Sequence, residues 1–222
     1  MVDQEVNPPE PEERHPCRSS KKRKKEKAPM KKPDKLTEFL AKKRLLITRI
    51  LCLAVALEFI INYQERIQHL LTNPAGIIIS IILIALGSFI RSWSAGIIQK
   101  GNRLVQEGPY SINRNPLYTG STLILMGAVL YLNDIWAWIA AVLLILVIFP
   151  FTISREENSL RNKFPEQWMD YAKTTGRYFP KKISWQKLKS RWSFQLWIKN
   201  REYQTFSLSV LLIVIIIIVW VV

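Results

Sequence analysis

The sequence predicts an all-α polytopic membrane protein with about five transmembrane helices and a cytoplasmic helical segment between the fourth and the fifth. Three observations predict it. First, five apolar runs, 45–63, 75–90, 117–133, 135–153 and 206–222, interrupt a chain of 222 residues, and Arg49 and Glu58 are the only charges in them. A helix needs about 20 residues to cross the hydrocarbon, and Trp and Tyr near the run ends suit the interface. Second, Lys+Arg 32 against Asp+Glu 17 gives a net charge of +15, and that charge is gathered between the runs. Third, strongly basic blocks alternate with nearly neutral loops, as five crossings require. A water-soluble core with alternating faces is excluded. So is a disulfide scaffold, because Cys17 and Cys52 are the only cysteines and Cys52 sits inside an apolar run.

Residues 1–35 read as a disordered basic cytoplasmic tail. They hold six prolines and a Lys/Arg run at 21–27, and no Leu, Ile or Phe precedes Leu36. Such a segment buries too little apolar surface to offset its ordering entropy. No apolar stretch follows as a signal peptide would require. Each Lys or Arg near an anionic leaflet contributes about 1 kcal/mol of attraction, so the bilayer is the expected partner. Without stacking aromatics in the tail, no nucleic-acid partner is expected.

Residues 36–180 read as a core of four crossings plus a cytoplasmic segment. In the first run Glu58 marks a candidate functional position, since a carboxylate in a membrane run is costly. It falls towards the outer half, and a structural hydrogen bond or an interfacial position is the favoured reading. The third and fourth runs predict a tight hairpin around Asn133 and Asp134. Beyond them, Ser154 followed three residues later by Glu157 predicts a helix start with a capping box, and Pro165 breaks or restarts that helix. Residues 181–205 place Trp185, Leu188, Trp192 and Leu196 on one face between Lys and Arg, which predicts an interfacial amphipathic helix. A soluble helix packed on a partner is the other reading. Residues 206–222 form the C-terminal transmembrane helix.

Loop charge orients the bundle. Segments 14–44, 94–116 and 154–205 are net basic, while the remaining loops are nearly neutral. The positive-inside rule places all three basic segments in the cytoplasm, at a bacterial inner membrane or an endoplasmic reticulum membrane.

Soluble-enzyme signatures are missing. There is no dinucleotide fingerprint and no phosphate-binding loop, and His15 and His69 have no ligand partners at helical spacing, so no metal is expected. Two patches remain. The first, Gly108 to Gly120, contains Pro109 and Pro116, which restrict the residues before them and make a shaped turn. Gly120 and Gly127 share a helix face that a helix or a ligand can approach closely. The second begins Arg155-Glu156-Glu157 and continues to Leu160, Phe164, Trp168 and Tyr171. Paired carboxylates there suit either a site or a helix start favoured by the helix dipole. Five crossings put both patches at the cytoplasmic ends of adjacent crossings, facing a cleft half in water and half in lipid.

Gly108-Pro109-Tyr110 with Arg114-Asn115-Pro116-Leu117-Tyr118-Thr119-Gly120, followed by Glu156-Glu157-Asn158-Ser159-Leu160, Phe164 and Tyr171, resembles the integral-membrane isoprenylcysteine carboxyl methyltransferase and phospholipid (phosphatidylethanolamine) N-methyltransferase superfamily. Gly87 and Arg91 match a weaker element, a small residue and then Arg at the end of the preceding crossing. Asn115 stands where the isoprenylcysteine enzymes have His.

The resemblance implies an S-adenosylmethionine-dependent methyltransferase acting on a membrane-resident acceptor. Glu156 and Glu157 are implied to bind the cofactor's ammonium or ribose hydroxyls. Asn115, Pro116 and Tyr118 are implied to contact the cofactor, with Gly87 leaving room for it. Arg114 binds its carboxylate or supports the turn, and with Glu157 forms the implied catalytic pair. Arg91 and Arg155 are implied to orient an anionic acceptor, whether carboxylate or lipid phosphate. A prenylated protein's carboxylate, a lipid amine and a small hydrophobic molecule all remain open as acceptors. The competing reading is a non-enzymatic membrane anchor or scaffold that recruits partners through its basic tail.

Overall fold

A computed structural model describes residues 74–99, 102–181 and 185–221. The basic tail, the first apolar run with Glu58, and His69 lie outside these residues. Every regular element among the described residues is helical. Helix α1 is Pro74–Ala95, α2 Pro116–Leu132, α3 Ile135–Lys163, α4 Pro165–Thr174, α5 Trp185–Leu188, α6 Phe194–Lys199 and α7 Glu202–Val221. The protein is an all-α polytopic membrane protein. Helices α1, α3 and α7 are long and apolar enough to cross a membrane. At 1.5 Å per residue the 22 residues of α1 reach about 33 Å, against about 30 Å of hydrocarbon. The 29 residues of α3 reach about 43 Å, so its polar last turns project beyond the apolar layer. The 17 residues of α2 reach only about 25 Å.

Glycines set the seam between α1 and α2. A Cβ on Gly87 would stand 2.6 Å from the Gly120 carbonyl, and one on Gly127 2.8 Å from the Ser80 carbonyl. Without side chains there, the backbones touch, and van der Waals contact of this kind holds helices together in lipid. The small-residue face predicted for α2 therefore receives a helix. Ser80 and Ser94 donate to carbonyls one turn back, at Gly76 and Ile90, so neither hydroxyl adds an unpaired donor to the seam.

The α2–α3 hairpin turns at Asn133 and Asp134, as the sequence predicts. Asn133 adopts a left-handed conformation (φ 46°) that Asn tolerates better than most residues. Asp134 caps α3 by accepting from the Ala137 amide at 2.7 Å. Val129, Ala137 and Ala141 pack the hairpin's inner side. Helix α7 lies against α1 through Ser209 and Ile216 while Leu208, Leu211 and Ile218 face outward. That outward apolar surface suits lipid.

Within α3, Leu144–Ile148 forms a π-helical turn, with the Phe149 amide donating to Leu144, five residues back. Pro150 accounts for it. Proline has no N–H to offer Leu146 and its ring would strike that carbonyl, so the turn widens.

Two expectations need correction. Ser154 does not start a helix; α3 runs through it without a break, and its hydroxyl donates to the Pro150 carbonyl at 2.7 Å. Residues 181–205 do not form one amphipathic helix. They hold the short helices α5 and α6, separated at 189–193. Tertiary bonds win there: the Trp192 indole donates to the Ser92 carbonyl at 3.0 Å and the Ser193 amide to Gly96 at 2.8 Å, which ties the segment to the end of α1. Pro165 does restart the chain as α4, after a non-helical Phe164.

Candidate active site

The site forms where α2 begins and α3 ends. Gly108 has φ +62°, a conformation that suits glycine, and Pro109 opens a single 3-10 turn, Gly108–Ser111. The Ser111 hydroxyl closes it by donating to the Gly108 carbonyl at 2.7 Å. Asn113 then shapes the next turn: its carbonyl oxygen accepts from the Asn115 amide at 3.1 Å and its amide group donates to Thr119 at 3.1 Å. Pro116 is fully buried at the first position of α2, where a missing N–H costs nothing.

A second turn, after α4, lies on the first. The Arg114 amide donates to the Gly176 carbonyl at 2.9 Å, and Asn113 and Gly176 form a single parallel bridge. Gly176 is required for closure: a Cβ there would fall 1.8 Å from the Phe179 carbonyl oxygen. This pairing carries Arg177 and Tyr178 to the end of α3.

Glu157 is the hub. One of its oxygens lies 3.3 Å from Arg114 Nε, the other 3.1 Å from Arg177 Nη2. Asn115 Nδ2 donates to Glu157 at 3.1 Å and to the Arg177 carbonyl at 3.2 Å. Arg177 also donates to Ser154 at 2.8 Å. The neighbouring Glu156 accepts from the Tyr118 hydroxyl at 3.0 Å. The Arg114 guanidinium stacks over the Trp168 ring, 5.3 Å from its centroid, a cation–π contact. Thus Arg114, Asn115, Pro116, Tyr118, Glu156 and Glu157 meet in one place.

Three phenols border this cluster and stay neutral. Burial pushes Tyr110 well above the usual phenol range, Tyr171 and Glu156 push it further, and Arg91 opposes them. Burial likewise raises Tyr171, with Arg114 opposing and Glu157 reinforcing. The Tyr171 hydroxyl donates to the Tyr110 carbonyl at 2.7 Å, which fixes α4 to the first turn. Tyr178 is raised by burial, eased by Arg177 and raised by Glu157.

The other expected residues lie elsewhere. Gly87 faces α2, and the space beside it is occupied by Gly120 and Ile124. Arg91 is committed to structure. It makes a two-point pair with Glu202 at 2.8 and 2.9 Å, and also donates to Thr205, to the Leu117 carbonyl and to Ser121. Those contacts use all five guanidinium donors, leaving none for an acceptor. Arg155 is exposed and, two positions from Glu157, projects about 200° round the helix from it. Sequence reasoning missed Arg177 and Tyr178. The signal for them was Gly176 ahead of Arg-Tyr-Phe-Pro, just past the second motif.

The described residues thus form a helical membrane bundle whose Arg-Asn-Pro turn meets a double-glutamate helix end. The chain belongs to the isoprenylcysteine/phospholipid methyltransferase superfamily, and the phospholipid methyltransferase family matches residues 71–167. It is 27% identical over 160 residues to the cobalt-zinc-cadmium resistance protein CzcN of Cupriavidus metallidurans, covering 71% of this chain and 73% of that one. It is 28% identical over 151 residues to the nickel-cobalt-cadmium resistance protein NccN of Alcaligenes xylosoxydans xylosoxydans, covering 67% and 70%. An uncharacterized protein of Haemophilus influenzae is 36% identical over 62 residues, 28% of this chain and 98% of that one. No solved structure matches the chain.

Proposed function

We propose that the protein transfers a methyl group from S-adenosylmethionine to a membrane-resident acceptor, an isoprenylcysteine-type carboxylate or a phospholipid amine. One observation carries the reading: the Asn115–Glu157 hydrogen bond unites both motifs in one polar cluster at the point where α3 leaves the apolar layer. The donor set fits the cofactor. Carboxylates suit an ammonium and ribose hydroxyls, and the guanidinium of Arg114 donates no hydrogen bond to another described residue, so it suits a carboxylate.

The cofactor, when bound, supplies an activated methyl on a sulfonium cation. The residues' task is then orientation, since holding the reacting atoms in line supplies much of the acceleration in such a displacement. Glu156 and Glu157 hold the cofactor from the α3 side, and Asn115 and Tyr118 from the α2 side. A carboxylate acceptor needs no base. An amine acceptor must lose a proton, and in this reading a Glu near the site takes it; the exposure of Glu156 supports that role. The positive charge of the tail and loops in the sequence supports a cytoplasmic position for this rim, by the positive-inside rule. Two relatives are named for metal resistance.

The test is thermal stability of detergent-solubilised protein during titration with S-adenosylhomocysteine, because a ligand that binds only the folded state raises it. A rise is expected in the wild type and none in Glu157→Gln, which keeps the side chain's shape. No rise in the wild type at saturating ligand favours the scaffold reading. Labelled cofactor offered with a prenylcysteine analogue or an ethanolamine lipid then separates the acceptors.

A further inference from the structure

The charge around Glu157 does not balance. One carboxylate, only 12% exposed, faces two guanidiniums, those of Arg114 and Arg177. The nearby carboxylate of Glu156 is taken up by Tyr118 on the exposed side of α3. The donors do not balance either. Among the described residues, Arg114 Nε, Arg177 Nε and the Tyr178 hydroxyl are all buried without a hydrogen-bond acceptor. Arg114 Nε is near Glu157 but not aimed at it. Buried polar groups are nearly always paired, so three orphan donors around an excess of positive charge ask for a missing acceptor. Tyr178 lies close enough to Arg177 and Glu157 to feel both charges, and as a neutral phenol it keeps its proton to donate.

We propose that Arg114, Arg177 and Tyr178 form a seat for one carboxylate beside Glu157. The inference rests on the methyl-transfer reading and adds to it two residues that lie beyond the matched family region, residues 71–167. The carboxylate comes from the amino-acid half of the cofactor. A carboxylate on the acceptor offers the same chemistry, and the experiment distinguishes the two. The seat is built by the Gly176 turn, which delivers Arg177 and Tyr178 to a helix end far from them in the chain.

The test compares S-adenosylhomocysteine with methylthioadenosine, which keeps the nucleoside and lacks the amino-acid half. Dissociation constants are measured for the full-length protein in detergent, for wild type, Arg177→Gln and Tyr178→Phe. A hydrogen bond to a charged group is worth about tenfold or more in affinity. The expected result is that both variants bind S-adenosylhomocysteine about tenfold more weakly and bind methylthioadenosine as the wild type does. Tyr178→Phe removes only an unpartnered hydroxyl, so it keeps the test decisive if Arg177→Gln fails to fold. If the homocysteine compound is unaffected but the KM for N-acetyl-S-farnesylcysteine rises in both variants, the seat stands and its occupant is the acceptor. If both variants match the wild type in S-adenosylhomocysteine affinity and in KM, the seat is overturned. Failure of the wild type to bind either nucleoside overturns the methyl-transfer reading itself, a different outcome.

Discussion

Asn115 Nδ2 donates to Glu157 at 3.1 Å and to the Arg177 carbonyl at 3.2 Å, so one amide joins three segments separated by 42 and 62 positions. Removing it leaves the Glu157 carboxylate with fewer donors and the Gly176 turn with one tether fewer. Asn115→Ala is expected to cost about 1.5–3 kcal/mol, the range for a hydrogen bond to a charged group. Differential scanning of the detergent-solubilised protein measures that loss. The same variant should bind S-adenosylhomocysteine at least several-fold more weakly.

Arg91 and Glu202 fasten the last helix. Glu202 is 4% exposed, so losing its partner strands a buried charge. Arg91→Met is expected to cost about 3–5 kcal/mol. Trypsin cleavage after Lys199 and Arg201 should accelerate as the start of α7 comes loose. Replacing both partners, Arg91→Met with Glu202→Leu, should recover most of the stability, because no unpaired charge then remains.

Two buried phenols should respond in opposite directions. The Tyr110 hydroxyl has no partner among the described residues, whereas that of Tyr171 donates to a carbonyl. Tyr110→Phe should therefore leave stability unchanged or raise it by about 1 kcal/mol, and Tyr171→Phe should lower it by about 1 kcal/mol. Both phenols are raised above the ordinary value of 10.0 in the folded protein. The folded state then holds protons that the unfolded chain releases, so the stabilisation is complete below pH 10 and is lost as pH climbs past it. Melting temperature followed upward from pH 8 should fall above pH 10, and less steeply in Tyr171→Phe.

Overpacking the seam should be costly. A Cβ on Gly120 would stand 2.6 Å from both the Gly87 carbonyl and Arg91 Cγ. Gly120→Ala should destabilise by about 1–3 kcal/mol. If melting is unchanged, the two backbones are not in contact.

Much of this was legible in the residues. Apolar runs marked α1, α2, α3 and α7 because lipid imposes length and composition on a spanning helix. Asn133, Asp134 and Pro165 marked breaks because each acts locally. The pairing of the Arg-Asn-Pro turn with Glu157 followed from topology. What escaped notice depended on context beyond each local motif. Ser154 looked like a cap, but the π turn at Pro150 lets α3 continue through it. Trp192 fitted an amphipathic stripe, but the Ser92 carbonyl captures its indole. Gly87 looked open, but α2 fills the space. Arg177 carries no local signature, since its place depends on a backbone bridge to Asn113.

The wide turn at Leu144–Ile148 sets the compass bearing of everything that follows it. An added residue in one turn winds the remainder of the helix on by about 100°. The greasy half of α3 and its acidic tip therefore point in directions that a uniform spiral could not reconcile. Glu157 meets Asn115 because of a defect three turns upstream that touches neither of them.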